Sequence, residues 1–125
     1  MNSKVLNIVR IIFGVLLVIF GANKFLNFMP TPESFPDGVM NYMTALMSTK
    51  TLYLVGIVEV VAGLTFIFNK YAALMAIILM SVSINAVLFH ATLDPANSIG
   101  AVVLLILNII VLYSYKDKYK DLLAG

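Results

Sequence analysis

Residues 8–28 read IVRIIFGVLLVIFGANKFLNF, and every side chain from Ile11 to Phe20 is apolar. Counted from about Val5 to Leu26, this run matches the roughly 20 residues an α-helix needs to cross a hydrocarbon core. Strands that cross membranes alternate polar and apolar residues in ~10-residue units, a pattern absent here. Three more continuous apolar runs follow, at about 52–68, 71–90 and 96–115. The expected fold is all-α: a four-transmembrane-helix bundle occupying residues 1–125 as one integral membrane domain. A basic start at Lys4 and Arg10 is also a signal-peptide feature, but GANKF (residues 21–25) makes a poor cleavage site. The first run therefore reads as a retained span.

Composition agrees. Of 125 residues, 62% are apolar and 11% charged, with a mean hydropathy of +1.02. A soluble domain of this size has proportionally more surface to cover with polar residues, not less. Intrinsic disorder needs the opposite composition. The chain has no cysteine and a single histidine, His90. That removes thiol chemistry, iron–sulfur clusters and cysteine zinc sites. Haem held between two histidines of one chain is removed as well. No haem, Fe–S cluster or zinc is expected, so redox chemistry would need a partner protein or a bound organic cofactor. A net charge of +2 without a basic stripe does not suit nucleic acid.

The basic residues report orientation instead. Lys4, Arg10, Lys70, Lys116, Lys118 and Lys120 lie on one side of the four runs, and Lys24 and Lys50 on the other, with Glu33, Asp37 and Asp94. Six against two puts both termini in the cytoplasm of a bacterial-type inner membrane. On that reading Asn69–Lys70 is a tight inner turn, and Asp94–Pro95 caps and starts the fourth helix. The first outer connection carries Pro30, Pro32 and Pro36. Beyond Asp37–Gly38, Val39, Met40, Met43, Leu46 and Met47 recur at helical spacing, which predicts a short interfacial helix. With Met29, these methionines could offer thioethers to Cu(I), but an apolar helix stripe is the simpler reading.

Polar residues inside a bilayer are costly, and each is a candidate for function. Arg10, Gly14, Leu17, Gly21 and Lys24 recur at spacings of three and four and form one stripe. Gly56, Glu59 and Gly63 do the same in the second run, Ser81 and Asn85 in the third, and Asn97, Ala101, Leu104 and Asn108 in the fourth. The glycines suit close helix packing. Glu59 falls ~10 Å below the outer edge of its span, Lys24 ~3 Å and Asn85 ~7 Å. Lys24 is long enough to reach Glu59. Asn23, Lys24, Glu59, Asn85, His90 and Asp94 therefore converge on the outer end. Of these, Lys24, Glu59, Asn85, His90 and Asp94 are the candidate ligand-binding residues. Each also has a plain structural reading: an ion pair fixing helix register, an interhelical hydrogen bond, an interfacial histidine, a helix cap. Arg10 is expected either to hydrogen-bond with Asn108, which lies at comparable depth, or to reach the inner headgroups. Arg10, Asn23 and Asn108 are read as structural polar residues. No catalytic or metal-ligating set is visible.

IVRIIFGVLLVIFGANKFLNF, GIVEVVAGL (56–64) and INAVLFHATLDP (84–95), in this order, resemble the DoxX family of small four-span bacterial membrane proteins. The resemblance covers nearly the whole chain. Its matching positions are Arg10, Gly21, Lys24, Glu59, Gly63, Asn85, His90 and Asp94, and they transfer as pattern without a catalytic role. The family takes its name from a subunit associated with thiosulfate:quinone oxidoreductase, and related members are linked to membrane redox complexes. The resemblance implies a membrane subunit of a redox or quinone-linked complex, holding a quinone or another small polar ligand at the outer end. Its expected partners are membrane lipid and a redox protein or a second copy of the chain. A small transporter or permease and a purely structural anchor remain the alternatives; neither an inverted repeat nor an autonomous active site is visible.

Overall fold

The computed structural model describes residues 3–28 and 35–125. Met29, Pro30, Pro32 and Glu33 lie outside the described residues. The elements are α1 (Ser3–Leu26), α2 (Asp37–Ser48), α3 (Thr51–Phe68), α4 (Ala72–Leu93) and α5 (Ile99–Ser114). A short turn of tight helix at Pro95–Asn97 precedes α5, and Lys116–Leu123 continues beyond it. Three helices, α1, α3 and α4, are long and apolar enough to cross a membrane. A fourth qualifies if α5 is counted with the segment after its 72° bend.

The long helices form a ring, with α1 on α3, α3 on α4, α4 on α5 and α5 back on α1. Two seams carry most of the packing. Along α1 and α3, a Cβ added to Gly14 would lie 2.7 Å from the Gly63 carbonyl oxygen, and one on Gly63 would lie 2.6 Å from that of Gly14. Gly21 stands in the same way against Gly56. Position numbers fall along one helix as they rise along the other, so the pair is antiparallel and its backbones touch. Leu17, between Gly14 and Gly21 in sequence, is fully buried, and Phe13 stacks on Phe66 with ring centroids 5.5 Å apart. Ala62, Ala72, Met75, Ala76, Leu79 and Val111 complete the core.

The other seam, α4 against α5, is held by polar groups. Ser83 Oγ donates to Asn108 Oδ1 at 2.7 Å, and Asn108 Nδ2 donates to the Ala76 carbonyl at 3.1 Å. Both side chains are fully buried. Beyond the bend, Tyr119 donates to the Ala73 carbonyl at 2.7 Å and ties the C-terminal segment back to α4.

Turn chemistry sets the helix ends. Asn69 closes α3 in the left-handed conformation with φ 54°, where asparagine is tolerated. Tyr71, with φ 59°, then starts α4 almost at once. At the far end α4 runs one turn past His90, to Leu93. Pro95 does not open α5, as its position after Asp94 suggests, but the tight turn in front of it. The Asn97 amide reaches the Asp94 carbonyl at 3.1 Å in that turn, so α5 proper starts at Ile99 and is shorter than the apolar run. Asn97 is thereby left outside the stripe that Ala101 and Asn108 form.

Candidate functional site

The glycine stripe on α1 faces α3, because its glycines are the points of closest approach. Lys24 lies three residues beyond Gly21, and Glu59 lies between Gly56 and Gly63. The same register that brings Gly21 to Gly56 brings the Lys24 ammonium onto Glu59 Oε1 as an ion pair. The Glu59 side chain is 5% exposed and that of Lys24 23%. The carboxylate is thus inside the bundle, while the Lys24 side chain is only partly buried. An ammonium has three N–H donors. The ion pair engages one direction and leaves capacity for another acceptor. Asn23, half-buried, is the neighbour of Lys24 on α1.

A second polar group occupies the same end of α4. Asn85 Nδ2 donates to the Tyr42 hydroxyl at 2.8 Å. The Tyr42 ring stacks on Phe89, centroids 4.6 Å apart, and Phe89 meets His90 edge-on at 4.8 Å. His90 Nδ1 is 4.0 Å from Asp94 Oδ2. It is buried and makes no hydrogen bond among the described residues. Asp94 instead accepts from Asn97 Nδ2 at 3.0 and 3.1 Å. So Lys24 meets Glu59, and Asn85, His90 and Asp94 form a separate chain of contacts running onto α2.

Tyr42 is the member of this group that spacing along the chain does not reveal. Its only signal is a lone tyrosine in a methionine-rich helical segment, with no spacing rule linking it to Asn85. The segment from Asp37 to Ser48 is helical, as its spacing predicts. Val39 is buried, Met43 and Leu46 are half-buried, and Met40 and Met47 face outward. A Cβ on Gly38 would come 3.1 Å from Leu93, so α2 begins beside the end of α4. Among the described residues no group of three or more histidine, aspartate or glutamate side chains is placed to hold a metal ion.

At the other end, Arg10 and Asn108 do not meet. Arg10 Nε donates to the Phe66 carbonyl at 2.8 Å, and Nη1 to Asn7 Oδ1 at 2.9 Å. Phe66 lies in the last turn of α3, where carbonyls lack intrahelical partners. Arg10 therefore caps α3, and Asn108 is turned to Ser83. Of the serines on α4 it is Ser83, not Ser81, that faces the bundle. Ser81 is exposed and bonds back to its own Ile78 carbonyl at 2.8 Å.

A model of the DoxX family matches residues 5–92. The chain belongs to the DoxX family. The match spans α1 to α4, including the glycine seam, the Lys24–Glu59 pair, Asn85 and His90, and ends before Asp94 and α5. With its long apolar helices, this makes the protein a multi-pass integral membrane protein of the DoxX family. Neither a curated protein nor a solved structure matches the chain.

Proposed function

We propose that this DoxX protein is the membrane subunit of a quinone-linked redox complex. On this reading both termini lie in the cytoplasm and the loop end faces outward, as the basic residues indicate. The ligand is a small polar molecule or quinone headgroup, held at the loop end with α2 lying at the interface above it. The observation that carries the reading is the Lys24–Glu59 pair, a buried carboxylate whose cationic partner is 23% exposed. A ligand carbonyl arriving from the loop end takes an N–H of Lys24, while Glu59 holds the ammonium in place and can receive or return a proton. His90, with a buried Nδ1 lacking a hydrogen bond, is the second polar contact available at that end.

The test is native mass spectrometry on protein extracted gently from its own membrane, with organic extraction of whatever it carries. A stoichiometric quinone or polar small molecule, absent from Glu59→Gln, is the expected result. Protein carrying only bulk lipid would overturn the reading. It would favour the structural anchor, which the placement of the pair on the glycine seam also supports.

A further inference from the structure

The opposite end of the bundle, which carries Ser3, the α3–α4 turn and the end of α5, holds a second site that involves none of the loop-end residues. A polar recess of about 160 Å³ is lined by Ser3, Asn7, Arg10, Asn69, Ser114 and Tyr115. It adjoins an apolar groove of about 480 Å³ between α1 and α5, walled by Leu6, Ile109, Ile110 and Tyr113 and ending at Lys116. Leu6 and Ser114 are walls of both. The two spaces form one feature with a polar head and an apolar tail.

The hydrogen bonds inside the recess give it a sign. Asn7 spends its side-chain oxygen on Arg10 Nη1, and Asn69 spends its own on the Tyr115 hydroxyl. Both amides are left with their NH₂ groups as donors. Arg10 uses Nε and Nη1, and among the described residues Nη2 donates to nothing. The acceptors are engaged and the donors are left over. Ser114 and Tyr115 are the exceptions, since their hydroxyls donate to the Val111 carbonyl and to Asn69 Oδ1. Among the described residues no acidic side chain lines the recess or the groove, whereas Arg10 and Lys116 both do. Guanidinium and amide donors converging without a carboxylate suit a phosphate oxygen.

We propose that this end of the bundle binds one anionic phospholipid. Its phosphate is held by Arg10, Asn7 and Asn69, and an acyl chain lies in the α1–α5 groove. Arg10 is seven residues into α1, ~10 Å from its first residue, a depth consistent with a headgroup drawn slightly inward. Lys116, just past α5, stands at the rim to meet the negative surface of the bilayer.

The full-length protein, stripped of lipid in detergent, is offered equal amounts of phosphatidylglycerol and phosphatidylcholine and examined by native mass spectrometry. One phosphatidylglycerol is expected to remain, preferred about fivefold, the contribution typical of one basic residue at a membrane surface. Arg10→Gln should bring the two lipids to near parity. Because Arg10 also caps α3, Lys116→Gln serves as the second variant: it is at the rim and should lower the preference about twofold while leaving the bundle intact. Equal retention of both lipids by the wild type, or a preference unchanged in both variants, would overturn the proposal. So would displacement of the lipid by millimolar inorganic phosphate, which would leave an anion site without a use for the groove. A dimer that excludes lipid from both copies would overturn it too.

Discussion

The bundle is sewn by two seams built on opposite principles. Between α1 and α3, side chains are removed: four glycines let the backbones touch, and charge enters as Arg10 on the Phe66 carbonyl near one end and as Lys24 reaching from the other end to the buried Glu59. Between α4 and α5, the neutral Ser83–Asn108–Ala76 chain of hydrogen bonds sits in the fully buried middle. Lipid tails are as apolar as leucine, so helices in a bilayer gain little from burying apolar surface against each other. They associate by close packing or by polar contacts instead. The first seam uses van der Waals approach over its whole length and carries an ion pair of which the lysine is 23% exposed and the carboxylate buried. The second uses directed bonds where water is far. On the proposed function, the charged pair exchanges a proton or accepts a ligand without dismantling its seam. The neutral chain has every member committed to the fold.

The greatest expected difference comes from breaking the ion pair. Lys24→Met leaves Glu59 buried without its partner and should cost about 3 kcal/mol, the low end for such pairs because Lys24 is 23% exposed. Adding Glu59→Gln should restore most of that loss, since the double variant no longer buries an uncompensated charge. Reversible unfolding in mixed micelles measures both, and a double variant as unstable as Lys24→Met would show that the pair's charge is not what matters.

Next in size is the glycine contact. Gly63→Ala places a methyl group 2.6 Å from the Gly14 carbonyl oxygen, where backbone and not a flexible side chain must yield. A loss of about 1–3 kcal/mol is expected. Gly100→Ala on α5 is the control: nothing lies within 4 Å of the added methyl, so helix propensity should make it neutral or slightly stabilising. Equal behaviour of the two alanine variants would mean that the α1–α3 backbones are not in contact.

Asn108→Ala removes both bonds of the neutral chain and should cost about 1–2 kcal/mol. Unlike Lys24→Met, its effect should not depend on pH or salt, because none of the three groups titrates. A salt-sensitive loss would erase the distinction between the seams.

How much of the fold and the site is legible in the sequence follows the same division. Gly14, Gly21, Gly56 and Gly63 are conspicuous in apolar runs, and their spacing alone puts Lys24 and Glu59 on the touching faces. Helical periodicity is therefore enough to pair the two charges. It is not enough for Asn85 and Tyr42, because no matching glycine stripes mark the faces along which α2 meets α4, so spacing has nothing to set one residue against the other. Arg10 is legible as a buried cation but not as the cap of α3, since its acceptor is a backbone carbonyl and any residue supplies one.

The two serines of α4 show where periodicity misleads, and they give the smallest expected effect. Ser81 stands four residues before Asn85, so spacing assigns them one polar face. Ser83 is two residues away, nearly on the other side of the helix, and that is the side turned to α5. A serine in a membrane helix can satisfy its hydroxyl on a carbonyl one turn back, as Ser81 does on Ile78. Its presence alone therefore reports nothing about direction. What distinguishes Ser83 is a partner on another helix, Asn108. Ser81→Ala removes only the bond to its own helix from an exposed position and should leave stability unchanged. Ser83→Ala removes an interhelical bond and should cost about 0.6 kcal/mol, the average for such bonds in a membrane. Measured in the Asn108→Ala background, Ser83→Ala should become nearly silent, because its acceptor is already gone. A loss that persists there would mean that Ser83 is held by packing and that its bond to Asn108 contributes nothing to the second seam.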